Sequence, residues 1–186
     1  MGSGCAPSKP AEMPVPSEVP TPAPVPAQVS TTSGVTNSPQ VVPAGGYTEG
    51  ARVYHSVAQS IPTNTPTFLA FDSERYDTDN IHDTVTYNSI LTCRTAGIYL
   101  ITFTGRYAAN VSGKRTWEIY LNHVTRLSEH TDDVDANGYF ARTTATIYQL
   151  SVGDYVEVRA WQNSGVNVDV QSEGNFTPEF AMHRIG

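Results

Sequence analysis

Residues 91–103 read Leu91-Thr92-Cys93-Arg94-Thr95-Ala96-Gly97-Ile98-Tyr99-Leu100-Ile101-Thr102-Phe103, and residues 150–156 read Leu150-Ser151-Val152-Gly153-Asp154-Tyr155-Val156. Each breaks at a glycine and then enters a run of β-branched and aromatic residues, the signature of a turn feeding a strand. Beyond Gly97, the residues Tyr99, Ile101, Phe103 and Tyr107 recur at period two, which sets them on one face of a strand. Gly97 and Gly153 stand where a tight turn calls for positive φ, a conformation glycine adopts cheaply. Asp154 is placed to cap turn donors with its carboxylate.

The same punctuation continues outward. Residues 51–58, 66–71 and 90–94 are short β-prone runs, and 98–109 is a long one. In 115–124, Trp117, Ile119 and Leu121 alternate with Glu118, Tyr120 and Asn122. Asn137-Gly138 precedes a long run to Leu150 whose alternation assigns no inward face. In 155–161, Val156, Val158 and Ala160 oppose Tyr155, Glu157, Arg159 and Trp161. Residues 166–170 and 176–185 close the series. Eight to ten strands without a helical period in residues 47–186 predict an all-β sandwich or barrel.

Upstream the chemistry is different. Residues 1–46 hold ten of the thirteen prolines and none of the eighteen aromatics. Pro14, Pro16, Pro20, Pro22, Pro24 and Pro26 remove backbone donors at close spacing and disfavour helix. Such a stretch favours extended polyproline II, at about 3.1 Å per residue, and has no aromatic payload for a core of its own. The division is therefore a Pro-rich arm, 1–46, and a head domain, 47–186. Val15, Val19, Val25 and Val29 are the arm's candidate anchoring contacts. The start of the chain lacks the basic and apolar regions of a signal peptide, and Met1-Gly2-Ser3-Gly4-Cys5-Ala6 has Ala where myristoylation wants Ser or Thr.

Charge narrows the function classes. The chain of 186 residues carries 11 basic and 18 acidic side chains, a net −7. That balance argues against a general nucleic-acid partner or an anionic membrane surface, and no apolar run of about 18 residues is present to insert in a bilayer. Two cysteines, Cys5 and Cys93, are too few for a disulfide framework. Cys93, beside Ile90 and Leu91, reads as a buried structural thiol.

Chemically loaded residues are sparse. There is no G-x-S-x-G, H-E-x-x-H or C-x-x-C pattern, and His55, His82, His123, His130 and His183 have no metal-ligand spacing. Ser112-Gly113-Lys114 mimics the end of a phosphate loop, but Ala108 and Arg115 break the motif. The expectation is a protein that is not an enzyme. Residues 72–83 hold five carboxylates in twelve positions, and Asp72, Glu74, Asp77 and Asp79 are the candidate ligands for Ca²⁺. A solvated loop is the favoured account of them, because the spacing departs from an EF-hand; Asp132-Asp133-Val134-Asp135 shares the ambiguity with a weaker case for a metal. Asn110-Val111-Ser112 and Asn175-Phe176-Thr177 are glycosylation sequons, relevant only to a secreted eukaryotic chain.

Three segments together resemble the globular head of complement component 1q and the related tumour necrosis factor superfamily: residues 91–103, the L-x-x-G-D-x-V run from Leu150 to Val156, and Phe176 to Ile185. In the last, Pro178-Glu179 replaces the family's usual glycine. The resemblance covers roughly residues 60–186 and implies a ten-stranded jelly roll assembling as a homotrimer. Strand 155–161 fits that implication: it is apolar on both faces and needs a second surface, with Tyr155 and Trp161 as candidate trimer-interface residues. The collagen stalk common in the family is absent, and the Pro-rich arm takes its place.

The resulting reading is a non-enzymatic, trimeric head fixed by residues 1–46 to a larger assembly. That assembly is expected to be a bacteriophage virion, the protein serving as capsid decoration, head fibre or tail component facing host-surface glycan or protein. The alternative is a secreted or cell-surface recognition protein that binds carbohydrate, with calcium at residues 72–83.

Overall fold

The computed structural model describes Met1 and residues 46–186. The Pro-rich arm, with Cys5, Val15, Val19, Val25 and Val29, lies outside the described residues apart from Met1 and Gly46. Twelve strands make up the head: β1 (Gly50–Tyr54), β2 (Gln59–Ile61), β3 (Thr67–Phe68), β4 (Ser73–Asp77), β5 (Ile90–Thr92), β6 (Gly97–Tyr107), β7 (Lys114–Leu121), β8 (Thr125–Asp133), β9 (Phe140–Leu150), β10 (Tyr155–Gln162), β11 (Val168–Val170) and β12 (Glu179–Arg184). Among the described residues there is no helix, so none long and apolar enough to cross a membrane.

Two antiparallel sheets face each other. The seven-stranded sheet has β6 at its centre, flanked by β9 on one side and by β12, β1 and β4 in turn on the other, with β11 and β2 continuing from the end of β6. The five-stranded sheet runs β3, β10, β7, β8, with β5 also on β10. First and last strands are neighbours, since Val53 of β1 pairs with Phe180 of β12. The chain end continues this pairing: the Ile98 N–H donates to the Gly186 carbonyl at 2.8 Å, and the Ile185 N–H to the Ile98 carbonyl at 2.7 Å.

The core is aromatic where period two placed it. Tyr99, Ile101, Phe103 and Tyr107 of β6 point inward with no exposed surface, as do Trp117 and Ile119 of β7 and Val156, Val158 and Ala160 of β10. The Trp117 ring stacks on Tyr107 at 4.3 Å and meets Phe103 edge-on at 5.1 Å. Gly105 makes this possible: a Cβ there would lie 2.6 Å from the Phe103 ring and 2.8 Å from Trp117. The rings occupy the volume that any side chain at 105 would need.

Several expectations change. Residues 73–77, read as part of an acidic loop, form edge strand β4 paired with β1. β8, unassigned from sequence, pairs along the whole of β7. The strand expected over 66–71 shrinks to Thr67–Phe68, although Leu69 and Phe71 are fully buried just beyond it. Gly153 has φ +92 as a turn glycine should, but Gly97 is not in the left-handed region. Its requirement is space, because a Cβ at 97 would fall on the Arg184 Nε and the Gly186 carbonyl. The Asp154 turn does what its carboxylate suggested, accepting from the Ser151 N–H at 2.8 Å and from the Asn122 amide at 2.8 Å. These two donors hold the Asp154 carboxyl below its ordinary range.

Candidate functional site

Of the residues singled out for calcium, Asp72, Glu74 and Asp77 are engaged by nearby donors, while the Asp79 Oδ2 is buried without a partner. Asp72 accepts from the Ser56 N–H and hydroxyl, bracing the turn after β1. Burial alone would raise its carboxyl, but the Ser56 bonds outweigh burial and hold it low. Glu74 meets His82 Nδ1 at 3.0 Å, while His82 Nε2 lies 3.3 Å from the Asn88 carbonyl. Asp77 accepts the N–H groups of Asp79, Ile81 and His82 at 2.9–3.1 Å and so folds the chain after β4. Among the described residues no group of three or more His, Cys, Asp or Glu side chains is arranged to hold a metal ion. Sequence proximity gave these carboxylates a common stretch of chain; strand formation at 73–77 spreads them apart in role. Cys93 is buried and unpaired, and burial pushes its thiol up, away from reactivity.

Tyr155 and Trp161 share the outer face of the five-stranded sheet, both half-buried. Between them stand Glu157 and Arg159, and across β7 the register sets Arg159 opposite Glu118 and Glu157 opposite Tyr120. Arg159 clasps Glu118 through Nε at 2.7 Å and Nη2 at 3.0 Å, and Arg126 adds a third bond at 2.9 Å. Arg159 also donates to the Tyr120 hydroxyl and lies over its ring, 4.3 Å from the centroid. Burial works to raise the Glu118 carboxyl, yet the two guanidinium groups outweigh it and hold the group low. The charged middle of this face is thus satisfied by its own network, while Tyr155 and Trp161 remain half-buried at its two ends.

The other sheet carries a larger exposed apolar face. Across the outer face of the seven-stranded sheet the register aligns Ile147, Leu100 and His183 in one row. The next row is Ala145, Thr102, Ala181, Arg52 and Tyr76. Ile98, Leu100, Ile147 and Tyr76 are 42%, 38%, 60% and 42% exposed, a concentration of apolar surface on a flat, small-residue face. A shallow hollow of about 320 Å³ lies along it, bounded by Leu100, Thr102, Ala181, His183, Tyr76 and Arg52. Its floor includes Glu179, 6% exposed, which pairs with Arg52 at 2.9 Å and Arg75 at 2.8 Å. Sequence reading missed this face because only the cross-strand register joins Leu100 to Ile147.

No family model matches the chain, and no curated protein sequence matches it. Its likeness is to solved structures. The globular domain of zebrafish complement 1qA superposes with TM-score 0.54 at 12% identity, covering 74% of this chain and 98% of that one. Murine APRIL superposes with TM-score 0.57 at 12% identity, over 73% of this chain and 97% of that one. At this identity the likeness establishes the fold: the head is a jelly roll of the complement 1q and tumour necrosis factor type, as residues 91–103 and 150–156 suggested.

Proposed function

We propose that the protein is a non-enzymatic recognition head that assembles as a homotrimer and is held by residues 1–46 on a larger particle, a bacteriophage virion. The observation that carries the trimer is the outer face of the seven-stranded sheet. Leu100, Ile98, Ile147 and Tyr76 expose apolar surface on a face that also carries Thr102, Ala145 and Ala181. A second copy of the chain would cover this apolar surface, and Glu179 is already paired with Arg52 and Arg75. The fold's likeness to the complement 1q globular domain supports a binding rather than a catalytic role.

Attachment belongs to the arm. Closely spaced prolines favour an extended chain, which loses less conformational entropy on docking than a Gly/Ser chain would. Val15, Val19, Val25 and Val29 supply apolar contacts, and a trimer brings three arms to one site, raising their effective concentration. On the particle the protein acts as decoration, head fibre or tail component, with the jelly roll directed toward the host surface. Removing residues 1–46 should leave the head's melting temperature and its number of chains per assembly unchanged while abolishing incorporation into particles, read by electron microscopy and protein gels of purified particles. Full occupancy by the truncated head would overturn the assignment of attachment to the arm.

A further inference from the structure

Beside the charge network of the five-stranded sheet lies a cavity of about 380 Å³ lined by Tyr87, Ser89, Ile90, His123, Tyr155 and Glu157. Its charged member is Glu157, 4% exposed. One Glu157 oxygen lies 2.9 Å from His123 Nδ1, and the other accepts a long bond from the Ser89 hydroxyl at 3.3 Å. A carboxylate accepts about four hydrogen bonds, so roughly half of this one's capacity is unspent. No Lys or Arg pairs with it among the described residues, since Arg159 on the same strand is committed to Glu118. A buried carboxylate with this little compensation is costly to maintain in a fold.

The walls carry a second, independent sign. Five non-glycine residues among those described have φ between +50 and +64. Three are Asn64, Asn80 and Asn122, a residue type that tolerates this region. The other two are Tyr87 (φ +52) and His123 (φ +64), and both line this cavity. His123 follows Asn122 in the tight turn between β7 and β8, closed by the Val124 N–H on the Leu121 carbonyl at 3.1 Å, and that turn sets its φ, so the sign rests on Tyr87. A bulky side chain held in the left-handed region points to a functional demand at that position. Tyr87 is 77% exposed, so core packing makes no such demand. His123 is held from behind by Phe68, stacked at 4.4 Å. An aromatic rim over a partly satisfied carboxylate is complementary to a cation on an apolar stem.

We propose that this cavity binds an alkylammonium group, with Glu157 as counter-ion and Tyr87, Tyr155 and His123 as the aromatic enclosure. The site lies within one chain, so it does not depend on the trimer or on the arm. Lysine side chains of a partner protein and free alkylamines share this chemistry.

The test is a titration of the full chain at neutral pH, followed by NMR shifts of the cavity residues. The probes are n-butylamine, Nα-acetyl-lysine methylamide and its Nε-acetylated form, with n-butanol as the uncharged control. Both ammonium probes should shift Tyr87, Ile90, His123 and Tyr155, while butanol and the acetylated lysine should not. Glu157→Gln, whose single oxygen can still accept from His123 and whose amide can donate to the Ser89 hydroxyl, should weaken butylamine at least about tenfold. Tyr87→Ala, an exposed position, should weaken it about threefold with no change in fold. Tighter binding of the lysine derivative than of butylamine assigns the site to protein lysines; the reverse assigns it to small amines. Equal shifts from butanol, no shifts from either ammonium probe, or a Glu157→Gln chain that binds as tightly would each overturn the proposal.

Discussion

Trp117 and Tyr107 lie with their rings nearly parallel, 8° apart at a centroid distance of 4.3 Å, joining the two sheets at the middle of the core. The Tyr107 hydroxyl donates to the Trp161 carbonyl at 3.1 Å, tying β6 to β10. Trp117 has no such anchor, because its buried indole N–H finds no acceptor.

Trp117→Ala should therefore cost about 3–5 kcal/mol in chemical denaturation. Trp117→Phe should cost distinctly less, since it deletes the same unsatisfied donor but keeps a ring against Tyr107 and Phe103. Equal losses for the two variants would show that the retained ring recovers none of that packing.

Acid should destabilise the head through Glu118. Its folded carboxyl is held below its ordinary value by Arg159 and Arg126 acting against burial. A depressed carboxyl stabilises the fold fully above the unfolded value, and that contribution is lost as pH falls through the folded one. The melting temperature should be level from neutral pH to about 5 and fall below that. Glu118→Gln should lower stability at neutral pH and flatten the acid limb, as measured by thermal melts across pH.

Calcium should have no effect on stability. Asp77 already accepts three backbone N–H groups, and Asp72 and Glu74 are engaged by Ser56 and His82. Melting curves with chelator and with millimolar calcium should superimpose. An upward shift with calcium would restore a cation site to residues 72–83.

The apolar face of the seven-stranded sheet should be the trimer's contact. Leu100→Asp and Ile147→Asp, both at exposed positions, should convert the full chain from three copies to one in light scattering, with little change in the far-ultraviolet spectrum. Trp161→Ala should leave the mass unaltered. A trimer that survives both aspartates places its contact elsewhere.

What the sequence made legible follows from how each strand is buried. β6, β7 and β10 carry large apolar residues at every second position because one face of each meets the core, so Tyr99 to Tyr107 and Trp117 to Leu121 could be read directly. β8 has no such rhythm: Thr125–Asp133 is a sheet edge, and its register with β7 is secured by pairs such as Thr116–Thr131, with hydroxyls 2.8 Å apart. β9 defeats alternation for another reason. Thr144 faces inward to meet the Ser128 hydroxyl at 2.6 Å, while apolar Ile147 faces out. The role of the acidic segment was hidden because four carboxylates look alike in sequence and differ only in which donor each one meets. The left-handed backbone at Tyr87 has no sequence signal, since a bulky aromatic residue does not favour it.

The adjacency of β1 and β12 also governs the order in which the head can come into being. β1 leaves the ribosome first and must wait for β12, on the order of ten seconds of synthesis at ordinary rates. Until then Val53 and its neighbours lack the strand that completes their sheet, and β6 lacks the same partner on its other side. A chain cut short before Glu179 would thus leave two open hydrogen-bonding edges in the middle of the larger sheet, each a template for another copy's strand. Partial heads are consequently not smaller heads but sticky ones, and quality control by length is written into the topology.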